Sequence, residues 1–181
     1  LLRYLKSYIC NSVAELRIMK KTKSVIGMLA LVLLFSSAFN PVETGLKEGK
    51  QAPMLKLKNS EGAVTLSELK GRYVLLNFWA GYDAPSRMEN IRFAREIDKS
   101  EIENISLVSV SFDTSRKVFE ETIKRDGLNT ATQFYDKDGS QSDIFDNYRL
   151  NKGFASYLIS PEGVIIAKDP NPEQLTKLIR Q

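Results

Sequence analysis

Tyr73-Val-Leu-Leu-Asn-Phe-Trp79, followed by Ala80-Gly-Tyr-Asp-Ala-Pro-Ser86, changes character half-way along. Tyr73 to Trp79 is nearly continuous apolar sequence, the mark of a strand buried on both faces. Asp83 and Pro85 then have the composition of a helix start. A short carboxylate caps free backbone N–H groups, and proline loses nothing in a first helical turn. From Pro85 onward Met88, Ile91, Ala94 and Ile97 recur at helical spacing with charged residues between them, which predicts an amphipathic helix. Ile105-Ser-Leu-Val-Ser-Val-Ser-Phe112 reads as a second strand, completing a β-α-β unit.

The flanks extend this unit. Upstream, Met54-Leu-Lys-Leu-Lys58 alternates, Asn59-Ser-Glu-Gly62 supplies turn residues and Ala63-Val-Thr65 returns, which predicts a small hairpin. Downstream, Ser115 to about Asp126 is amphipathic through Val118, Phe119 and Ile123, with Gly127 as its stop. Ser142 to Tyr148 reads as a short helix. Ser156-Tyr-Leu-Ile-Ser160 and Val164-Ile-Ile-Ala167 form a hairpin around Pro161-Glu-Gly163, and a last helix starts near Pro172 with Leu175, Leu178 and Ile179. The order is hairpin, β-α-β-α, then β-β-α. It predicts an α/β sandwich, three layers with a central mixed sheet and an N-terminal hairpin.

Composition restricts the chemistry. The 181 residues are 43% hydrophobic and 27% charged, ordinary for a globular domain. The formal charge is +4, but six basic residues (Arg3, Lys6, Arg17, Lys20, Lys21, Lys23) and one acid (Glu15) fall in the first 38 positions. The remainder is close to neutral, so nothing global argues for nucleic acid. There is no histidine, and the one cysteine is Cys10. A histidine general base and a Cys/His zinc site are therefore not expected, and beyond Cys10 the sequence offers no disulfide and no cysteine nucleophile. Asp136-Lys-Asp138-Gly139 has some of a calcium loop's spacing but lacks its glutamate, and reads as a turn. No metal and no cofactor is expected.

Met19-Lys-Lys-Thr-Lys23 is a basic stretch, Val25 to Phe35 lacks charge, and Ser36-Ser-Ala38 offers small residues for cleavage. This predicts a signal peptide over 19–38 cut after Ala38, since the apolar run falls short of the roughly 20 residues needed to span a bilayer. Residues 1–18 read as an upstream misread of the start site, 39–50 as a linker and 51–181 as the folded domain. No cysteine follows the apolar run, so a lipid anchor is not expected. The expected location is periplasmic or secreted, without a stable membrane span after cleavage.

Taken together, Lys50-Gln-Ala-Pro53, Val64-Thr-Leu-Ser-Glu-Leu-Lys-Gly71, Val74-Leu-Leu-Asn-Phe-Trp-Ala80 and Tyr157-Leu-Ile-Ser-Pro-Glu-Gly163 resemble the thioredoxin-like fold. Specifically, they resemble exported TlpA/ResA-type thiol:disulfide oxidoreductases and their AhpC/TSA relatives. The resemblance implies W-C-x-P-C directly after the F-W-A strand end, where this chain has Tyr82-Asp83-Ala84-Pro85-Ser86. Asp83 and Ser86 thus stand at the two cysteine positions. The proline that such proteins hold in cis opposite the active site aligns with Phe154, where a cis bond is not expected because it costs about 2.5–4 kcal/mol without proline. Ile91 replaces a proline that kinks the first long helix in the family.

The vestigial site implied by this alignment comprises Trp79, Tyr82, Asp83, Ala84, Pro85, Ser86 and Phe154, with no catalytic residue among them. Asp83 is read first as a helix cap and second as a stand-in for a thiolate. Trp79 is read as core before groove, Tyr82 as either binding or packing. Phe154 either fills the space left by the proline or receives an apolar side chain. Ser86 has no activating base. The function expected is a non-catalytic module of the cell envelope that binds a protein or peptide. Alternatives are an oxidoreductase working with a partner's cysteines, and a structural subunit of an oligomer.

Overall fold

The computed structural model describes residues 42–58, 62–99, 102 and 104–180. The expected signal peptide, its cleavage point at Ala38 and Cys10 lie outside them. Among the described residues no helix is long and apolar enough to cross a membrane.

A five-stranded sheet carries the fold, built from β3 (Tyr73–Trp79), β4 (Ile105–Ser111), β5 (Gln133–Tyr135), β6 (Ser156–Ile159) and β7 (Ile165–Lys168) in the order β5-β4-β3-β6-β7. β3, β4 and β5 run parallel, while β6 and β7 are antiparallel additions on the other side of β3. The sheet is therefore mixed, and the apolar run of β3 is explained by its central place. A separate hairpin pairs β1 (Lys56–Lys58) with β2 (Ala63–Thr65). The remaining α-helices are α1 (Ala84–Lys99), α2 (Arg116–Asp126), α3 (Asp143–Asn147) and α4 (Leu175–Ile179).

The two faces of the sheet bury different sets. Val74, Leu76 and Phe78 alternate onto one face, against Tyr148, Leu150 and the hairpin residues Leu55 and Leu57. Leu75 faces the other way, with Phe93 of α1 and Leu175 of α4. Trp79 packs on Phe119 and Ile123 of α2. This is the thioredoxin-like α/β architecture, with helices on both sides of a mixed sheet and a small N-terminal hairpin.

Local signals set the helix ends. Ser115 caps α2 by accepting the Val118 N–H, and Gly127 closes it in the left-handed conformation at φ 64°. Ser142 caps α3 in the same way through the Ile144 N–H. The final helix is preceded by a 3-10 turn at Pro172–Gln174.

Three features depart from the sequence reading. β5 was not expected, because three residues give no periodicity. Within the stretch read as a linker, residues 45–50 are hydrogen-bonded to the domain: Gly45 N–H donates to Gln51 O at 3.0 Å, Gly49 N–H donates to Ile165 O at 2.8 Å and Lys50 O accepts the Ile165 N–H at 2.9 Å. The buried stripe of α1 is Ser86, Asn90 and Phe93, whereas Met88 is 56% exposed and Ile91, Ala94 and Ile97 are half-buried. The stripe is rotated because two polar side chains find buried hydrogen-bond partners beneath the helix.

Candidate functional site

The chain leaves β3 at Trp79, turns through Gly81 and Tyr82, and enters α1. Asp83 stands at the cap position: its Oδ1 accepts the Ser86 N–H at 2.9 Å and its backbone carbonyl accepts the Arg87 N–H at 3.0 Å. Ala84 and Pro85 form the exposed first turn, where a missing N–H costs nothing. Ser86 is only 5% exposed, and its Oγ donates to Asp83 O at 3.2 Å and accepts the Ala80 N–H at 3.3 Å. That hydroxyl is committed to the backbone on both sides. With no base beside it, it holds the turn and is not a nucleophile.

Below this turn lies a buried polar layer. Asn77 and Ser109 are register partners across β3 and β4, and Ser109 and Gln133 across β4 and β5. Asn77 Nδ2 donates to Asn90 Oδ1 at 3.3 Å, and Asn90 Nδ2 donates to Gln133 Oε1 at 3.1 Å. The first half of α1 is thus tied to two strands by side-chain amides. Trp79 is fully buried, and its ring lies 6.3 Å from that of Phe119. It forms part of the core and does not open onto the surface.

Two acids missed by the sequence reading steady the same turn. Asp113, 3% exposed just beyond the end of β4, accepts the Gly81 N–H at 2.7 Å and the Ser111 hydroxyl at 2.7 Å. Gly81 must lack a side chain for this, because a β-carbon there would fall 2.9 Å from Asp113 Oδ1 and 3.1 Å from Thr122 Oγ1. Arg87 donates from Nε to Asp126 at 2.7 Å and makes a second bond to the same carboxylate through its terminal nitrogen. This two-pronged pair pins the first turn of α1 to the last turn of α2 and holds the guanidinium pKa above its ordinary value. The position of Asp113 directly after a strand's C-terminal end was the signal available in sequence.

The exposed surface over this turn is aromatic and acidic. Tyr82 is 67% exposed, and its ring lies 6.4 Å from Phe154, which stacks on Phe112 at 6.0 Å with an interplanar angle of 21°. Phe154 therefore extends the core outward and presents a half-buried edge. Among the described residues no peptide bond is cis. A groove of about 410 Å³ runs past Asp83, Pro85, Met88, Glu89, Gly153 and Phe154. Desolvation, then the carboxylates of Asp113 and Asp83, raise the phenol pKa of Tyr82. Glu89 is also raised, by burial and then by Asp169, with Arg92 opposing.

Of the residues placed by resemblance, Tyr82, Asp83, Pro85, Ser86 and Phe154 come together here, with Ala84 on the same turn. Trp79 lies beneath them. Asp136 and Ser142 form a hydrogen-bonded turn, and no cluster of metal-ligating side chains occurs among the described residues.

Comparison with known proteins shows the family and the fold. A model of the AhpC/TSA family matches residues 49–168. Thioredoxin-like protein YneN of Bacillus subtilis is 29% identical over 156 residues, covering 79% of this chain and 86% of the relative. Thiol-disulfide oxidoreductase ResA of the same organism is 27% identical over 157 residues, covering 82% and 86%. A crystal structure of a thioredoxin-like protein from Parabacteroides distasonis is 39% identical, covers 78% of this chain and 100% of that chain, and superposes with a TM-score of 0.67.

Proposed function

Since the chain belongs to the AhpC/TSA family and shares its thioredoxin-like fold with thiol-disulfide oxidoreductases, we propose that it is an exported member whose former redox face binds a peptide segment without thiol exchange. The observation that carries this reading is a site that is fully built around Asp83 and Ser86. Thiol exchange needs a thiolate on the attacking protein, and beyond Cys10 the sequence has no sulfur nucleophile to supply one. The carboxylate of Asp83 takes the place where free helix N–H groups would stabilise a thiolate. Around it, Tyr82, Met88 and Phe154 offer apolar contact beside a charged rim of Asp83, Glu89 and Arg92, a composition suited to an extended peptide segment. Export rests on the leader over residues 19–38, and the domain would begin after that leader.

The test is affinity capture from envelope extract with the wild type, Tyr82→Ala and Asp83→Asn, each with a melting curve. A partner retained by the wild type and lost by folded Tyr82→Ala supports recognition at this face. Equal capture by all three places the function elsewhere. Family membership favours a second reading, in which the protein assists an oxidoreductase that brings its own cysteines. In that case the wild type would accelerate insulin reduction by the captured partner, whereas on the first reading it leaves the rate unchanged.

A further inference from the structure

Gly153 and Phe154 also border a second cleft, of about 640 Å³, on which the buried rings of Tyr148 and Tyr157 abut. Four cations line it, Lys47, Arg149, Lys152 and Lys168, against two carboxylates, Glu48 and Asp169. Lys168 has a carboxylate neighbour, Asp169, at 4.0 Å. Lys47, Arg149 and Lys152 have no carboxylate at ion-pair distance among the described residues. Outside the leader the chain is close to neutral, so this concentration of positive charge is local.

The backbone adds an independent observation. Among the described residues only two that are not glycine have positive φ, Arg149 at 53° and Asp169 at 47°, and both line this cleft. For Asp169 the reason is internal: its Oδ1 accepts the Ser156 N–H at 2.9 Å and its own N–H donates to Ser156 O at 2.8 Å, which closes the end of the β6–β7 ladder. Arg149 is the left-handed residue between α3 and a 3-10 turn at Leu150–Lys152: its N–H donates to Asp146 O at 3.0 Å and its carbonyl accepts the Lys152 N–H at 3.2 Å, so the turn uses its backbone and leaves the guanidinium unused. Glycine or asparagine would sit there with less strain. An arginine kept at a turn position that glycine fits better, its guanidinium without a carboxylate and beside two lysines likewise without one, is arranged for an anionic ligand outside the chain.

We infer that this cleft is an anion site that takes the carboxylate side chains of an extended peptide, lying where a chain leaving the Asp83 groove passes Phe154. The inference rests on the peptide-binding reading above and adds the chemistry of the segment: apolar residues at Tyr82 and Met88, acidic residues beyond Phe154. Arginine suits this because its fork of donors meets a carboxylate with two bonds.

Calorimetric titration of the full chain with hexaglutamate, hexaglutamine and inorganic phosphate tests it. Hexaglutamate is expected to bind more weakly as salt rises, and hexaglutamine not to bind. Arg149→Gly is expected to weaken hexaglutamate binding about tenfold while its melting temperature equals or exceeds that of the wild type, and Lys152→Gln to weaken it to a smaller extent. Equal binding of the two peptides, or hexaglutamate affinity unchanged in both variants, overturns the inference. Phosphate binding as tight as hexaglutamate overturns the peptide assignment and leaves a small-oxyanion site. These readouts do not depend on Tyr82, so a groove that fails in Tyr82→Ala and a cleft that fails in Arg149→Gly are told apart.

Discussion

The two halves of the buried face of α1 are held by different physics. Toward its C-terminal end, Phe93 and Ile97 lie over Leu75, Leu107 and Leu158, an apolar contact that any well-shaped side chains could make. Toward its N-terminal end, Asn90 bonds Asn77 and Gln133, Ser86 bonds the backbone of Ala80 and Asp83, and Arg87 reaches across to Asp126. Apolar burial is non-directional and fixes the helix to the sheet. Hydrogen bonds are directional and fix where the first turn points. Stability and placement are thus divided along one helix, and the end carrying Asp83 is the end that is placed.

Substitutions along the helix can break this division. Phe93→Ala, at a fully buried ring, should cost about 3–5 kcal/mol in denaturant unfolding. Recovery of most of that stability in Phe93→Leu would show a non-directional contact. Asn90→Ala leaves buried amide groups of Asn77 and Gln133 without partners and should cost about 1–3 kcal/mol. A cost near zero would mean that the polar layer is not under tension and that the contrast between the halves is wrong.

Asp83 divides further. Asp83→Ala should lose about 0.5–2 kcal/mol as a lost cap, while Asp83→Asn keeps most of the cap and removes the charge. If Asp83→Asn is as unstable as Asp83→Ala, the charge is needed for folding and cannot be assigned to recognition. The smallest effect is expected at Glu89. Its pKa in the fold lies above the ordinary 4.5, so the folded state binds its proton more tightly than the unfolded chain does. The group therefore subtracts stability as pH rises through that ordinary value toward the folded one. Glu89→Gln should be more stable than the wild type above this window and equal to it below pH 4.5, by thermal melts across pH. A difference that persists unchanged at low pH would contradict the cause assigned.

Much of this fold was legible because apolar period and turn chemistry agree along the chain. β3 announces itself by its nearly continuous apolar run, and Ser115 and Gly127 mark both ends of α2. The misplaced stripe on α1 has a physical reason: Ser86 and Asn90 are polar, and their burial depends on Asn77, Gln133 and Ala80, which sequence periodicity does not see. The Arg87–Asp126 pair escapes a local reading for the same reason, since the two residues are distant in sequence. At the site, Asp83 and Pro85 declared a helix start locally, whereas Asp113 and the left-handed Arg149 become meaningful only when strands and loops converge. Long-range partners, more than local propensity, separate what was readable from what was not.

Heteronuclear NMR of the protein titrated with any partner retained in the affinity capture tests the central claim most directly. Recognition at the proposed face predicts amide shifts concentrated at Tyr82, Asp83, Met88, Gly153 and Phe154. Shifts confined to β5 and α2, with those five amides unmoved, would contradict it.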